Sequence, residues 1–408
     1  MFAETLVNRA VKSMLTKRKM GAIAFPFLNT ITNLILKIWS FFSPSPACQH
    51  PQHIFILRNN DLGDLLIITP LFAALKHQNP MVKITVGVGD WARPILLKNP
   101  HVDDILPINA PWFNKGIPAP QQTFFHRLRY LAQSPEIAAL KQLKPDLGID
   151  IFGSFWGAML LLRAKIPQRW GVAGYGGGEG AMEFCIPYHP DIQVGRSALR
   201  FAEALGATAL PLCRPQLFLT AAEQGEGQAL WQGLGMDKIK IVIGPGSGSD
   251  PRYWGLANYQ ALIAHLSQRQ DLALVLVGGE GDRLQGTRFN PFPITNLIGQ
   301  LSLRQTFALL AGADLVLCNS SMLMHGAAAF KVETLVLLGP AFGNPEQHDR
   351  QWGYQGYYQS LGREKATVGE AIAQVEFLLN TLKAPLAPVD KSPLPQYRLD
   401  NDSPSRPS

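Results

Sequence analysis

The sequence predicts an α/β protein made of two doubly wound, Rossmann-like halves facing a cleft. Three observations carry this expectation. The chain has 408 residues, 47% of them hydrophobic, which is too many for one ordinary core and enough for two of about 150 to 200 residues each. An apolar strand over 53–58 leads through a short loop into a helical pattern and then into another strand over 83–88, the alternation that builds a parallel sheet. The same alternation restarts at 239–243, again with a glycine-bearing turn between strand and helix.

Residues 1–50 stand apart from both halves. Lys12, Lys17, Arg18 and Lys19 precede a mostly apolar run over 21–42, interrupted by Pro26, Asn29, Asn33 and Lys37. That pattern favours an amphipathic anchor lying on a membrane surface, with a spanning helix or a hairpin packed on the protein as alternatives. No small-residue cleavage site follows cleanly, which speaks against a removed signal. Ser43-Pro44-Ser45-Pro46 is a helix-breaking connector.

The first half, 51–215, continues from its opening strand into a helical pattern with Leu65, Leu66, Leu71, Ala74 and Leu75 on one face. After the strand at 83–88 come a short helix over 91–97, a strand over 104–108, a polar and proline-rich loop, a helix over 135–143, a strand over 147–151 and a helix over 196–206. Pro211 to Pro215 begin the transition. The second half, 216–384, has strands over 239–243, 272–277, 314–318 and, as its last, 334–338. Helices over 256–269, 303–312 and 321–330 alternate with them. The tail, 385–408, is rich in Pro, Ser and Asp and is expected to be disordered.

Lys and Arg number 37 against 30 Asp and Glu, a net charge of +7. This balance suits anionic partners such as nucleotides, phosphorylated glycolipids or membrane surfaces, with no specific sign of nucleic acid. Cys48, Cys185, Cys213 and Cys318 lie far apart, so neither a zinc site nor a disulfide framework is indicated and a reducing cytoplasm fits.

Three segments are placed to do chemistry. In Arg58-Asn59-Asn60-Asp61-Leu62-Gly63-Asp64, Gly63 permits a tight strand-to-helix turn. Asp64 then begins a helix at the carboxyl edge of the sheet, where α/β proteins bind ligands. Asp64 either caps that helix or acts as a general base toward an acceptor hydroxyl, with Asp61 as a neighbouring carboxylate. Helix-start amides favour its ionised form. In the second half, Gly244-Pro245-Gly246-Ser247 offers amides and a hydroxyl to a diphosphate, and Arg252 offers a cation for it. The third segment, Asn319-Ser320-Ser321-Met322-Leu323-Met324-His325, also joins a strand to a helix. Its alternatives are an N-cap at Ser320 and a packed His325.

These segments, in this order, resemble the heptosyltransferases of glycosyltransferase family 9. Residues 57–70 are similar to that family's opening, with Leu62-Gly63-Asp64 and Thr69-Pro70 in place. Pro100-His101-Val102-Asp103, Arg169-Trp170-Gly171, Pro245-Gly246-Ser247, Gly278-Gly279, Leu297 to Gly299 with Leu303, and Ala313-Asp314 match later family segments, so the likeness covers about residues 53–345. The resemblance implies a GT-B fold and an inverting, metal-independent transfer without a cofactor. It further implies Asp64 as base, Asn60 and Asp61 on the acceptor, and Gly246, Ser247, Arg252, Asn319, Ser320, Ser321 and His325 on a nucleotide-sugar donor, ADP-heptose or similar. The acceptor would be an envelope glycolipid or polysaccharide, and the workplace the cytoplasmic face of the inner membrane.

Four positions depart from the family pattern. Gly244 replaces a His, Arg252 a Lys, Ser320 an acid that contacts the donor, and Met322 a Gly. Loss of that carboxylate removes charged hydrogen bonds worth about 1.5 to 3 kcal/mol each. It motivates a second reading, a non-catalytic relative that binds sugar nucleotides or glycolipids. A nicotinamide-dependent oxidoreductase is disfavoured, because neither glycine turn reads G-x-G-x-x-G.

Overall fold

The computed structural model describes residues 50–246, 253–340, 342, 344–362 and 366–383. The expected membrane anchor, the tail, Ser247 and Arg252 therefore lie outside the described residues. No helix among the described residues is long and apolar enough to cross a membrane.

Two six-stranded sheets organise the chain. The first holds β1 (His53–Leu57), β2 (Lys83–Val88), β3 (Asp104–Pro107), β4 (Leu147–Asp150), β5 (Gln168–Ala173) and β6 (Phe184–Pro187), in the spatial order β3-β2-β1-β4-β5-β6. The second holds β7 (Ile239–Gly244), β8 (Leu272–Leu276), β9 (Thr295–Asn296), β10 (Leu315–Cys318), β11 (Glu333–Leu337) and β12 (Tyr358–Leu361), in the order β12-β11-β10-β7-β8-β9. Every pairing is parallel. Counted from its own first strand, each sheet has the order 3-2-1-4-5-6 of dinucleotide-binding folds. Helices cover both faces, which is why β1, β8 and β10 are almost continuously apolar and buried rather than alternating.

In each sheet the strand order reverses between its first and fourth strands, β1 and β4 in one and β7 and β10 in the other. A crevice opens beyond the carboxyl ends at such a point. The segments after β1 and β7, and after β10, are the ones singled out above.

Several elements differ from the sequence expectation. The pattern after β1 forms two helices, Leu62–Ile68 and Pro70–Gln78. Pro70 has no N–H to continue the ladder, and the Thr69 hydroxyl donates to the Leu66 carbonyl at 2.7 Å. The proline-rich loop before residue 135 contains a helix, Phe124–Gln133, whose first turn is capped by Thr123. Thr220 and Glu223 form a capping box that starts Ala221–Gln232. The expected last strand is followed by β12, whose half-buried Tyr-Gln-Ser-Leu lacks the apolar run of its neighbours.

The two halves share a core. Buried residues on Leu62–Ile68, among them Leu65 and Leu66, belong to one apolar cluster with Met324 and Ala327 of the helix Met322–Ala329. Polar ties flank this contact. Arg304 donates to the Pro94 carbonyl at 3.2 Å, Arg214 to the Ala329 carbonyl at 2.7 Å, and Gln193 to the Gly353 carbonyl at 2.7 Å.

Candidate active site

Asp64 stands in the first turn of Leu62–Ile68, but its side chain does more than serve the helix end. Arg58, at the end of β1, donates to its carboxylate at 3.1 Å and to its backbone carbonyl at 3.1 Å, and the Asn60 amide donates to the other carboxylate oxygen at 2.7 Å. The Arg58 side chain is 4% exposed and that of Asp64 18%. Burial pushes the Asp64 carboxyl above its ordinary value; the Arg58 charge opposes this without cancelling it. Helix-start amides favour the ionised form and are expected to make Asp64 a weaker base; desolvation outweighs them, and the group is a stronger base than an exposed aspartate.

Further contacts brace Asn60 and Arg58, the two groups that hold this carboxylate. Trp91 donates its indole N–H to the Asn60 carbonyl at 3.0 Å, and Asn60 Oδ1 is a buried acceptor without a hydrogen-bond partner among the described residues. The Arg58 guanidinium also lies 5.5 Å from the Phe152 ring centre. Behind it, the fully buried Asp150 at the end of β4 accepts from the Phe152 and Ser154 amides at 3.1 and 2.8 Å. Burial pushes the Asp150 carboxyl up to about 6 despite those amides.

A cavity of about 260 Å³ opens in front of Asp64. Asn60 and Asp61 line it together with Phe113, Lys115, Gln122 and Phe152. Asp61 and Lys115 pair at 2.6 Å in an exposed position, worth little in water but fixing two polar groups at the rim. Phe113 lies 4.5 Å from Phe152, Phe152 5.3 Å from Tyr175, and Tyr175 4.7 Å from Tyr188. The edge of the site is therefore an aromatic shelf with two half-exposed tyrosines.

In the second half, Gly246 takes a φ of 68°, which an L side chain adopts only with strain. Asn319, 1% exposed, braces this turn: its amide donates to the Pro245 carbonyl at 2.7 Å and its oxygen accepts from the Trp254 N–H at 2.9 Å. Both ends of Asn319 are thus occupied by backbone. Ser321, not Ser320, caps Met322–Ala329, accepting from the Leu323 N–H at 3.3 Å.

Ser320 instead lies 2.7 Å from His348 Nε2. His348 Nδ1 is 3.0 Å from the Tyr358 hydroxyl, which donates to Asp349 at 2.7 Å; Ser360 donates to the same carboxylate at 2.8 Å. Although burial raises it, these bonds leave the Asp349 carboxyl below its ordinary value, so it is ionised. His348 Nδ1 also lies 3.3 Å from Asp349. In the Nδ1–H tautomer, His348 gives that proton to Tyr358 and Asp349, Tyr358 gives its own to Asp349, and Ser320 gives to His348 Nε2. The Ser320 oxygen is then left with only acceptor capacity.

His325 is 5% exposed and hydrogen-bonded through Nδ1 to Tyr354. Burial lowers it to about 3, which makes it a neutral packed histidine at neutral pH. Its ring edge lies against Gly63, where an added Cβ would stand 2.7 Å from His325 Cδ2. The helix behind Asp64 and the helix behind Ser320 therefore meet at Gly63 and His325.

The structure thus brings Asn60, Asp61 and Asp64 together, and joins Gly246 to Asn319. Sequence reasoning missed Arg58 as a site residue, although a charge closing an apolar strand is a visible signal. It also missed Asp150, the aromatic shelf and His348. The last comes from a distant helix, Pro345–Trp352, and carries no local signature.

Comparison with known proteins bears on the fold and the family. Lipopolysaccharide heptosyltransferase 2 of Salmonella typhimurium is 25% identical over 345 residues, covering 76% of this chain and 93% of that protein. Lipooligosaccharide heptosyltransferase 2 of Haemophilus ducreyi is 28% identical over 312 residues, covering 70% and 83%. The solved structure of the Escherichia coli ADP-heptose LPS heptosyltransferase II superposes with a TM-score of 0.64 at 21% identity, covering 81% of this chain and 100% of that one. A family 9 glycosyltransferase structure from Veillonella parvula gives 0.65 at 16% identity, covering 81% and 97%. These structures share its α/β, GT-B fold. The sequence profile described as glycosyltransferase family 9 (heptosyltransferase) matches residues 137–348, more than half of the chain, and the protein accordingly belongs to that family and is a glycosyltransferase.

Proposed function

We propose that the chain transfers a heptose, or a closely related sugar, from an ADP-linked donor to the core of an envelope lipopolysaccharide, with inversion and without a metal. The observation that carries this reading is the Asp64 carboxylate, clamped by Arg58 and Asn60 and opening onto a cavity at the first switch point. Residues 51–215 take the acceptor and 216–384 the donor. Asp64 removes the proton from an acceptor hydroxyl, whose oxygen bonds to the anomeric carbon as the bond to the diphosphate breaks; ADP departs. Asn60 and Asp61 orient the acceptor, and the aromatic shelf supplies an apolar face for a sugar ring.

The leaving diphosphate is held by the turn at Gly246 with Ser247 and Arg252, where cation and amides offset the developing charge. Ser320 and Ser321 contact the donor. With its proton directed to His348, the Ser320 oxygen accepts from a sugar hydroxyl as a carboxylate does. His325 and Asn319 act as positioning residues. The work takes place on the cytoplasmic face of the inner membrane, to which residues 1–50 attach the protein.

Incubated with ADP-heptose and a heptose-deficient lipopolysaccharide core, the protein should release ADP and add the mass of one heptose to the acceptor, with EDTA present or absent. Binding of ADP-heptose without either product would establish the non-catalytic reading. Preference for a sugar linked to another nucleotide would overturn the donor assignment.

A further inference from the structure

The helix Phe124–Gln133 carries an apolar stripe that faces solvent. Phe124 is 58% exposed, Phe125 79% and Leu128 43%. At 100° per residue these three lie within about a third of the helix circumference; Leu131, one further turn along and bordering the stripe on the Phe124 side, is buried in the core of the first half. Phe124 keeps one ring edge on Trp156, but Phe125 is 79% exposed and belongs to no hydrophobic core cluster, so packing does not account for a large apolar side chain there.

Cations flank the stripe and acids are absent from it. From residue 105 to residue 135 the chain contains Lys115, Arg127 and Arg129 and no Asp or Glu. Arg129 is exposed, and among the described residues its side chain bonds to Gln133 of its own helix. Arg163, from the helix Phe155–Arg163, donates to the Ala132 carbonyl at 3.2 Å and so adds a further exposed cation at the end of the stripe. Arg127 is stacked 5.4 Å from the Trp156 ring centre, with Phe124 5.6 Å from the same ring. The stripe is thus held rigidly on a base of aromatic side chains.

The helix is also tied to the rim of the Asp64 cavity. Arg127 donates to the Gln122 carbonyl at 3.2 Å, and the Gln122 side chain donates to the carbonyls of Asn114 and Ile117 at 2.9 and 2.7 Å. Gln122, Asn114 and Lys115 line that cavity.

We infer that this surface docks on a bilayer containing anionic phospholipid, with Phe124, Phe125 and Leu128 entering the headgroup boundary and Arg129 and Arg163 meeting lipid phosphates. A convex stripe of large apolar side chains with arginines beside it is the pattern of an interfacial helix. An anionic bilayer is favoured over a protein partner by the exposed Arg129 and Arg163 beside the stripe and by the lack of Asp and Glu over 105–135. Docked in this way, the protein holds Gln122 and the rim of the Asp64 cavity beside the bilayer, within reach of a lipid-borne acceptor. The contact is additional to any made by residues 1–50, and the docking itself does not depend on the proposed sugar transfer.

The test uses the full chain with no donor or acceptor. Amide hydrogen exchange is followed with vesicles of phosphatidylcholine and phosphatidylglycerol, and with phosphatidylcholine alone. Peptides covering 123–133 should gain protection on the mixed vesicles and much less on the neutral ones. Phe124→Ser with Phe125→Ser should abolish that local protection and weaken vesicle binding about ten-fold. The thermal midpoint should fall slightly, because Phe124 loses its contact with Trp156; Phe125→Ser alone, at a position 79% exposed, should weaken vesicle binding and leave the midpoint unmoved. Arg129→Glu, which removes no apolar contact, should weaken binding to the mixed vesicles alone. Vesicle binding without protection of 123–133, equal protection on neutral vesicles, or affinity unmoved by the paired serine substitution would each overturn the inference.

Discussion

At the scale of single residues, the site depends on the coupling of Asp64 to Arg58. A base must be unprotonated and yet strong. Burial raises the Asp64 carboxyl above its ordinary 3.8, while the Arg58 charge limits the rise. For a proposed base of this kind, Asp64→Asn should lower kcat by about 10² to 10⁴-fold with a smaller effect on donor affinity, as read by steady-state kinetics and calorimetry. In the unsubstituted enzyme the rate should fall as acid protonates the carboxyl, with the limb above 3.8. Asp64→Ala is a poorer test. It strands the Arg58 guanidinium, whose side chain is 4% exposed, and such a loss costs about 3 to 5 kcal/mol of stability. The asparagine keeps the side-chain shape and one acceptor, so it costs less than alanine, and thermal unfolding measured beside the kinetics separates the loss of stability from the loss of rate.

Elements act through where they meet. Leu62–Ile68 and Met322–Ala329 touch at Gly63, with the His325 ring filling the place of a side chain. Gly63 is needed there for close approach, because a Cβ would stand 2.7 Å from one ring atom and 3.1 Å from another. His325 has little room to yield, as its Nδ1 is bonded to Tyr354 and its ring is buried. Gly63→Ala should therefore separate the two helices and cost about 1 to 3 kcal/mol, seen in thermal or denaturant unfolding. If these helices present the acceptor and donor groups as proposed, kcat should fall as well.

For the molecule as a whole, the question is what holds the halves in register. Arg304, 9% exposed, donates across to the Pro94 carbonyl and also to the Phe218 carbonyl at 2.7 Å, and it pairs with Glu223 at 2.5 Å. The hydrogen bond from Arg304 holds the Glu223 carboxyl down at about 2, against an ordinary 4.5. A depressed acid stabilises the fold fully above its unfolded value and loses that contribution as pH falls toward the folded one. Arg304→Gln should thus cost stability at neutral pH, by about 2 to 4 kcal/mol, and flatten its decline between pH 4.5 and about 2. Chemical denaturation across that range would read both effects.

What the sequence determined by itself was local. Strands such as β1 and β8 are legible because burial on both faces leaves them continuously apolar, and the switch-point segments because a glycine turn follows a strand. Asn60, Asp61 and Asp64 could be grouped because five consecutive residues and one helix start connect them. The Thr69-Pro70 break and the Thr220–Glu223 capping box are equally local signals. Only the tertiary structure decided the rest. β12 becomes a strand because β11 offers it an edge, not because of its own composition. His348 reaches Ser320 from 28 residues away, and His325 reaches Gly63 from the other half. Such pairings follow from the order in which strands assemble and from which faces remain to be covered. Chain periodicity encodes those faces, while the partner that covers each one is settled by packing across the whole molecule.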